Sequence, residues 1–549
     1  MTTTPRTTPR TTRPARLAGL VAASAALLLS ACSGGADAAS DGASAPADAE
    51  PVTGGNLTFA ITVDSHCIDP QQVGNNDAIA AARQTVASLT AQDPESGEIL
   101  PWLAESWEVN DDASSYTFHL RDDATFADGT PIDAEAVKAN FDAIVDLGAV
   151  ASLGSQYLVG YAGTTVVDDR TVTVDFDEPS AQFLQATSTF SLGLLSPASA
   201  ELSAEDRCAG KYVGSGPFAV QSYTQDQEIV LEKVKGYAWG SEANDHTGEA
   251  YLDTVTFQVI PEASVRTGSL QSGQIDATAA INAVDLPQFD GHGFWLSYRA
   301  NPGVVFNLFP NESSPLAADE AVRTAILKGI DRQQVVDTVL TPQDQAATNV
   351  LSHSTPLFEG ADDLLAYDPD GAKKILDDAG WTEGADGIRE KDGQKLSTTV
   401  TFWQVPEPLE LVQQQLRQIG VDLQLKHVTV AESEAAKESG DFDFDYYNLT
   451  RSDADVLRTI FSANARNINQ RDPEEVDTLL DDSAAATDPA ERQKLVTEAS
   501  RLLLERGHAI PVYELSTTIA AADRVQGLTF EASSRLDFYD AWVTDGAGE

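Results

Sequence analysis

Residues 115–144 read SYTFHLRDDATFADGTPIDAEAVKANFDAI, and this stretch contains the clearest local signals in the chain. Ser115–Leu120 alternates polar and apolar residues, which is the period of a half-buried strand. Asp128-Gly129 is a turn pair. Asp133 can cap the helix that follows, whose apolar residues recur at helical spacing: Val137, Phe141 and Ile144. The stretch therefore predicts a strand that leads through a tight turn into an amphipathic helix.

Strands are predicted on both sides of this stretch, and helices join them in the second half of the chain. Period-two runs predict strands at Asn56–Val63, Glu105–Val109, Thr171–Phe176 and Leu252–Ile260. Asp331 can cap a helix that runs to Leu340. Asp368-Pro369 begins a second helix, which Gly380 ends. Together these signals favour an α/β protein.

One segment of the second half has the pattern of a parallel βαβ unit. Leu396–Trp403 and Val421–Leu425 read as strands. The residues between them carry one apolar helical face that Gly420 ends: Leu409, Val412, Leu416 and Ile419. Two strands joined by a helix of this length are expected to lie parallel in one sheet.

The N-terminus has the features of a secretory signal. Four arginines precede a short apolar run, and no acidic residue lies among them. The run ends in Leu29-Ser-Ala-Cys32, which resembles the bacterial lipobox and predicts that Cys32 becomes the lipidated first residue. An ordinary signal peptide with a chance cysteine is the alternative. Residues 1–31 are thus predicted to be the signal. Residues 32–52, which contain one β-branched and no aromatic residue, are predicted to be a flexible tether.

The net charge excludes one class of partner. The chain has 85 acidic and 35 basic residues, a formal charge of −50, and loss of the signal arginines makes it more acidic still. Such a field repels polyanions, so nucleic acid is not an expected partner. A solvated acidic surface explains the charge without any specific ligand.

Enzyme motifs are missing from the sequence. The seven histidines show no zinc-ligand spacing, and no Gly-x-Ser-x-Gly, P-loop or Gly-x-Gly-x-x-Gly pattern occurs. We therefore expect no catalytic residues, no metal and no cofactor.

Besides Cys32, the chain has only Cys67 and Cys208, and an even number of cysteines in an exported protein favours a disulfide. Two buried free thiols are the alternative.

Motifs along the whole mature chain resemble those of the family 5 extracellular solute-binding proteins, the receptors of ABC importers for peptides, nickel chelates and related solutes. The matches follow the family's order: Trp107, Tyr116–Arg121, Phe126–Pro131, Ala134–Val137, Gly214–Phe218, Leu270–Asp276, Phe306-Asn307, Val322–Ile326, Ile330–Arg332, Tyr367–Pro369, Leu376–Trp381, Gln415–Gly420, Phe442-Asp443 and Ile510–Tyr513. Most of these residues have structural roles, so they identify the scaffold and not the ligand.

The resemblance implies an α/β fold of two lobes, the type II periplasmic-binding-protein architecture with an extra subdomain. Residues 53–299 would form lobe I, with the subdomain at about 92–196, and residues 300–512 would form lobe II. Residues 513–549 would return to lobe I. The chain would cross the hinge twice, near Arg299–Asn307 and near Pro511–Leu515. Closure of the lobes around solute would be the form that the transporter recognises.

The resemblance also locates the ligand site. The loops that match the family's pocket are Asp64–Ile68, Asn301–Asn307, Phe402–Val405 and Tyr446–Asp455. Within them, the side chains expected to contact solute are His66, Asn307, Trp403, Tyr446, Tyr447, Arg451 and Asp453. Structural alternatives stay open for several: His66 as a neighbour of the disulfide, Trp403 as a core residue, and Tyr446 and Tyr447, of which at most one can face the cleft.

The last loop departs from the family's pattern. Peptide-binding members usually place an aspartate there, which pairs with the α-amino group of the peptide. In this chain Leu449 holds that position and Arg451 has entered the loop. A guanidinium binds carboxylate or phosphate well, so we expect a small amphipathic solute with an anionic group. Two alternatives remain: Arg451 forms a surface ion pair with Asp453 or Asp455, or Asp453 itself binds an amine.

The sequence thus predicts a monomeric receptor without catalytic activity. It would be lipid-anchored at the outer face of the cytoplasmic membrane and deliver a small-molecule or peptide ligand to ABC permease subunits. An enzyme that reuses the fold, or a sensor or adhesion module, are the alternatives.

Replacing Cys32 with Ala should release the protein from membranes, because the lipid is predicted to be its only attachment. Affinity for solute should not change, since the tether separates the anchor from the fold. Membrane fractionation after a high-salt wash measures the first effect and calorimetry the second. A Cys32→Ala variant that stays in the membrane fraction would contradict the lipoprotein interpretation.

Overall fold

The computed structural model describes residues 50–291 and 293–544. The predicted signal, Cys32 and nearly all of the predicted tether lie outside these residues. Within them, no helix is both long and apolar enough to cross a membrane.

The first part of the described chain runs to Ala300. Its strands are β1 (Asn56–Ile61), β2 (Thr90–Gln92), β3 (Ile99–Pro101), β4 (Ala104–Val109), β5 (Ser115–Leu120), β6 (Tyr161–Asp168), β7 (Thr171–Phe176), β8 (Phe218–Thr224), β9 (Glu228–Lys233), β10 (Thr254–Val259), β11 (Ala277–Thr278) and β12 (Phe294–Ala300). Its helices are α1 (Asn76–Ala82), α2 (Ala134–Leu147), α3 (Gly154–Tyr157), α4 (Phe183–Ala186), α5 (Pro197–Ala200), α6 (Ala204–Cys208) and α7 (Ala263–Gln271).

The second part contains the remaining elements. Its strands are β13 (Gly303–Pro310), β14 (Gln345–Ala346), β15 (Thr382–Glu383), β16 (Arg389–Lys391), β17 (Gln394–Lys395), β18 (Ser397–Phe402), β19 (Asp422–His427), β20 (Phe444–Thr450), β21 (Ile510–Glu514), β22 (Ser516–Ala522), β23 (Val525–Gln526), β24 (Thr529–Phe530), β25 (Leu536–Asp537) and β26 (Trp542–Val543). Its helices are α8 (Glu320–Gly329), α9 (Arg332–Val339), α10 (Asp362–Leu365), α11 (Pro369–Asp378), α12 (Glu407–Gln418), α13 (Val430–Ser439), α14 (Val456–Phe461), α15 (Glu475–Ala485) and α16 (Pro489–Glu505).

Lobe I is built on a seven-stranded sheet in the order β12-β22-β11-β1-β10-β9-β8. Strand β1 lies parallel to both β10 and β11, while β22 runs antiparallel to β12. The core beside this sheet contains Phe59, Phe257 and Phe538, whose rings pack edge to face or tilted with centroids 5.2–5.9 Å apart. Phe538 comes from the end of the chain, so the C-terminal segment belongs to lobe I.

Lobe II has a six-stranded sheet in the order β14-β21-β13-β20-β18-β19. Strands β18 and β19 are parallel, and α12 connects them, which is the predicted βαβ unit. Leu409, Val412 and Leu416 of α12 are fully buried, as their helical spacing requires. Strand β20 lies parallel to β18 on its other side. The C-terminal ends of these three strands therefore meet at one edge of the sheet.

The subdomain contains the stretch quoted above. Its four-stranded antiparallel sheet has the order β4-β5-β7-β6, and β5 alternates buried and partly exposed residues. Asp133 caps α2 by accepting a hydrogen bond from the Ala136 backbone N–H at 2.9 Å. Val137, Phe141 and Ile144 of α2 are buried. The predicted strand, turn and helix are all present.

Two strand pairs cross the hinge. Strand β12 of lobe I continues through Asn301 and Pro302 into β13 of lobe II, and β21 of lobe II continues through Leu515 into β22 of lobe I. The Asn301 N–H donates to the Leu515 carbonyl oxygen at 2.7 Å, which joins the two connections side by side. The return to lobe I begins after Leu515, slightly later than the expected boundary at residue 513.

A disulfide joins the segment after β1 to the end of α6. It links Cys67 to Cys208, whose Cα atoms are 4.1 Å apart and 141 residues apart in sequence. Cys67 follows a loop that begins where β1 ends, so the bond restrains the segment that carries His66, one of the predicted site residues.

The paired substitutions Cys67→Ser and Cys208→Ser should lower the free energy of unfolding by about 2–4 kcal/mol, because the unfolded chain regains freedom over a long loop. Urea denaturation measures this, with Cys32→Ser as the matched control. Complete alkylation of both thiols in unreduced, denatured wild-type protein would contradict the pairing.

Candidate functional site

The candidate site lies where the two lobes face each other near the hinge. Loops that follow parallel strands at the C-terminal edge of an α/β sheet are the usual place for ligands. In lobe II, Trp403 follows β18 and the segment Arg451–Asp455 follows β20. The lobes contact each other here, since the Gln92 side-chain amide donates to the Ser452 carbonyl oxygen at 3.4 Å.

Arg451 sits between the lobes. Its side chain is 4% exposed, and its Nη2 donates to the side-chain oxygen of Gln156 in lobe I. Its guanidinium carbon lies 4.5 Å from the centroid of the Tyr157 ring, a cation–π contact. Among the described residues, the Nε and Nη1 atoms of Arg451 have no hydrogen-bond acceptor. A buried cation thus keeps two donors for a group that the protein does not supply.

The backbone holds this arginine at the hinge. The Arg451 N–H donates to the Pro302 carbonyl oxygen at 3.0 Å. Gly303, at a φ of 107°, passes so close that a Cβ there would overlap the Leu449 carbonyl oxygen. Only glycine fits such a left-handed backbone and close approach without strain. Gly303 therefore allows the end of β20, and with it Arg451, to lie against the hinge.

Two further arginines near the hinge also lack a carboxylate partner. Arg299 donates to the Pro94 carbonyl oxygen, and its buried Nε has no acceptor among the described residues. Arg535 forms no side-chain hydrogen bond or ion pair with any described residue. Burial lowers the pKa of the Arg535 guanidinium, while nearby Glu531 and Tyr157 act in the opposite direction. Neither residue was predicted as a site residue, because nothing in the sequence around them distinguishes them from surface arginines.

Asp453 is engaged elsewhere. Its carboxylate forms a two-pronged ion pair with Arg492, at 2.6 and 3.0 Å, and both side chains are largely buried. Burial alone would raise the pKa of Asp453, but the Arg492 guanidinium outweighs it and holds that pKa below its usual value. Asp455 pairs in the same way with Arg458, at 2.7 and 2.9 Å.

The ion pairs of Asp453 and Asp455 bear on the two alternative roles that the sequence left open for the loop after β20. The proposed surface ion pair of Arg451 with Asp453 or Asp455 is not formed, since both carboxylates have other arginine partners. Asp453 as a free acceptor for an amine does not fit the structure either, because Arg492 occupies both of its oxygens. The guanidinium of Arg451 is left as the charged group of this loop that faces lobe I.

The two tyrosines of β20 belong to the core of lobe II. Tyr446 is 1% exposed and stacks on Phe306, with ring centroids 5.3 Å apart. Tyr447 points to the other face of the sheet and stacks on Phe309 at 4.3 Å. The two side chains point to opposite faces of the sheet, so at most one of them can face the cleft, and a contact of either with solute stays a prediction.

Trp403 and Asn307 have different surroundings. Trp403 is partly exposed, and its ring stacks on Tyr447 at 5.5 Å with the Lys437 ammonium 5.2 Å away. It thus closes one side of the core and still presents an edge to solvent. Asn307 is fully buried at a bulge of β13, where its amide donates to the Leu308 carbonyl oxygen at 3.0 Å. Asn307 is therefore part of the sheet interior, and its side-chain oxygen has no donor among the described residues.

His66 lies at the surface of lobe I with Asp64 and Asp226. One ligand atom from each of these three lies within 4.8 Å of the others, and His66 Nε2 is 3.1 Å from Asp226. Asp64, however, already accepts hydrogen bonds from the Tyr223 hydroxyl and from two backbone N–H groups. These three donors already engage both oxygens of Asp64, which makes the cluster a poor metal site and favours His66 as a structural neighbour of the disulfide.

The fold agrees with what the chain resembles. The model of the bacterial extracellular solute-binding proteins, family 5 (middle), matches residues 98–467, well over half of the chain. The chain belongs to this family. The resemblance drawn from the sequence motifs is confirmed.

Individual relatives share about a quarter of their residues with this chain. The nickel-binding periplasmic protein of Escherichia coli K12 is 28% identical over 343 residues, which are 60% of this chain and 63% of that protein. The oligopeptide-binding protein OppA of Mycobacterium tuberculosis H37Rv is 26% identical over 77% of this chain and 73% of its own. The glutathione-binding protein GsiB of Escherichia coli K12 is 24% identical over 88% of this chain and 94% of its own.

Solved structures confirm the two-lobe fold. NikA from Brucella suis, in complex with Fe(III)-EDTA, has a TM-score of 0.76 at 24% identity and covers 89% of this chain and 100% of its own. AppA from Bacillus subtilis, in complex with a nonapeptide, has a TM-score of 0.71 at 21% identity, with 90% and 100% covered. At these identities the comparison shows the architecture alone.

Arg492→Met should lower the free energy of unfolding by about 3–5 kcal/mol, because it leaves the buried Asp453 carboxylate unpaired. Arg501→Met is the matched control: Arg501 pairs with Asp363 at an exposed site, and its loss should change stability little. Urea denaturation measures both. Equal stability of Arg492→Met and wild type would show that Asp453 does not depend on this pair.

Proposed function

We propose that this chain is the receptor of an ABC importer and captures an anionic solute between its lobes through Arg451. One observation carries the proposal: Arg451, which is 4% exposed at the contact of the two lobes, has two guanidinium nitrogens, Nε and Nη1, without an acceptor among the described residues. A buried donor without a partner is costly, and a carboxylate or phosphate matches the fork of a guanidinium. The solute would thus complete the contact between the lobes.

The charge of the whole chain makes this local arrangement necessary. With 85 acidic and 35 basic residues, the long-range field opposes an anion. Attraction must come from short-range contacts in a site that excludes water, where the effective dielectric constant is low. Arg451 meets this condition, and Arg299 and Arg535 add positive charge beside the same hinge. The neighbouring carboxylates Asp453 and Asp455 are neutralised by their own arginines.

Binding through an amine is the competing possibility. It would need a free carboxylate in the loop after β20, as in peptide-binding members of the family. Both carboxylates of that loop are already paired, and the family's aspartate position holds Leu449. An unmodified peptide held by its α-amino group is therefore less compatible with this site than an anionic solute.

The transport role rests on the family and on the N-terminal sequence. Captured solute would be released to permease subunits in the membrane, with the closed form of a monomeric receptor as the state they recognise. The lipid on Cys32 would keep the receptor at the outer face of the cytoplasmic membrane. Capture and release involve no covalent step, so we expect stoichiometric binding without turnover of the solute.

Native mass spectrometry of freshly purified protein should identify a co-purified solute with an anionic group. Arg451→Ala should weaken its binding by about 1.5–3 kcal/mol, roughly 10- to 150-fold, because a hydrogen bond to a charged group is lost. Arg451→Lys should recover part of the loss, since lysine keeps the charge but not the fork. Calorimetry measures each affinity.

Arg506→Ala is the control for this experiment, because Arg506 forms an exposed pair with Glu320 on lobe II. The Arg506→Ala variant should bind the solute with the affinity of the wild-type protein. A neutral or cationic co-purified solute, or equal affinity of wild type and Arg451→Ala, would reject the anionic site.

A further inference from the structure

A cavity of about 330 Å³ lies between the subdomain and lobe II, beside the Arg451 loop. Apolar side chains form most of its wall. The subdomain contributes Ile99, Val109 and Leu184, and lobe II contributes Pro356, Leu357 and Ala486. A pocket of this size with apolar walls and few polar groups has the general character of a small-molecule site.

The cavity depends on contact between the lobes. On one side of it, the Ala181 N–H of the subdomain donates to the Ala484 carbonyl oxygen of lobe II at 2.8 Å. On another side, Gly97 approaches Pro356 so closely that a Cβ on Gly97 would lie 2.8 Å from the proline ring. Each lobe supplies only part of the wall, so the cavity is complete only when the lobes meet.

The polar groups of the cavity are nearly all satisfied internally. Asp453 and Arg492 pair with each other, and the Tyr116 hydroxyl donates to the Ser180 carbonyl oxygen at 2.6 Å. Gln185, which is 6% exposed, has a buried polar atom that is not. Its amide nitrogen donates to Gln92, but its side-chain oxygen has no donor among the described residues. The exposed Thr487 hydroxyl also lies at the cavity. The cavity therefore presents an apolar wall with a buried acceptor that is unused.

The cavity borders the loop that carries Arg451. Asp453 lines it and follows Arg451 by two positions, and Gln92, which also lines it, donates to the carbonyl oxygen of Ser452. A solute long enough to extend from Arg451 past Asp453 would reach the cavity with an uncharged part of the same molecule.

We propose that this cavity is the apolar subsite of the receptor, so that its solute is an amphipathic anion. The acidic group lies at Arg451, an uncharged apolar group fills the cavity, and a hydroxyl or amide N–H of that group donates to Gln185. Because a cavity of about 150 Å³ holds benzene, this one accommodates a substituted ring or a chain of roughly eight carbons. The inference rests on the proposed function, since the acidic group is placed at Arg451.

Two series of simple probes test the subsite. The straight-chain alcohols from butanol to octanol carry no charge, and the carboxylates of the same lengths add an anionic group. The dissociation constants of both series, measured by ligand-observed NMR, should fall by about fourfold per methylene, the effect of burying one CH₂. The carboxylates should bind more tightly than the alcohols of equal length.

Matched variants locate the effect. Ala486→Trp fills the cavity from lobe II and should abolish the dependence on chain length. Ala490→Trp adds the same side chain at an exposed position of α16 outside the cavity and should leave the dependence as in wild type. Arg451→Gln should remove the advantage of carboxylates over alcohols and leave the dependence on length.

The outcomes separate the two proposals. A wild-type protein that binds neither series, or binds both without dependence on length, overturns the subsite. The same dependence in Ala486→Trp as in wild type also overturns it. A third result is that affinity rises with chain length in wild type and not in Ala486→Trp, while carboxylates bind no more tightly than alcohols. In that case the subsite stands and the anionic site at Arg451 fails.

Discussion

The pairing of two strand connections at the hinge is the constraint on which the other features of this structure depend. The Asn301 N–H bonds to the Leu515 carbonyl oxygen, and the Ala300 carbonyl oxygen accepts from Ser354 of lobe II and Ser534 of lobe I. Two chain crossings held side by side leave rotation about the hinge as the natural relative motion of the lobes. Groups close to this axis keep their geometry, and Arg451, bonded to Pro302, is one of them.

Local signals made much of the fold predictable. The cap at Asp133, the cap at Asp368 and the apolar face of α12 depend on neighbours within a few residues, and the structure contains all three. Both hinge crossings also fall within the segments that the family resemblance implied. Boundaries such as the return to lobe I were less certain, because nothing in the local sequence marks where a continuous strand leaves one sheet for another.

The site was harder to predict because its chemistry depends on partners distant in sequence. Asp453 and Arg451 are neighbours in the chain, yet Arg492 takes the carboxylate and Gln156 of the other lobe contacts the guanidinium. The sequence predicts that Tyr446 and Tyr447 point to opposite faces of β20, and they do. That Phe306 covers one face and Phe309 the other could be seen only in the structure. Gln185 and Arg535 carry no pattern at all, and their significance comes from the contacts that they lack among the described residues.

The unpaired guanidinium nitrogens of Arg451 affect how readily the two lobes close. Each buried donor of a charged group left without an acceptor costs on the order of 1–3 kcal/mol, and Arg451 has two among the described residues. Water can meet that need when the lobes are apart, so closing them without an acceptor is disfavoured by about 5- to 150-fold for each donor. An anion that accepts both bonds removes this penalty only in the closed form, and a ligand shifts an equilibrium by its differential affinity for the two states. The same unpaired guanidinium would thus select the solute and make closure depend on it.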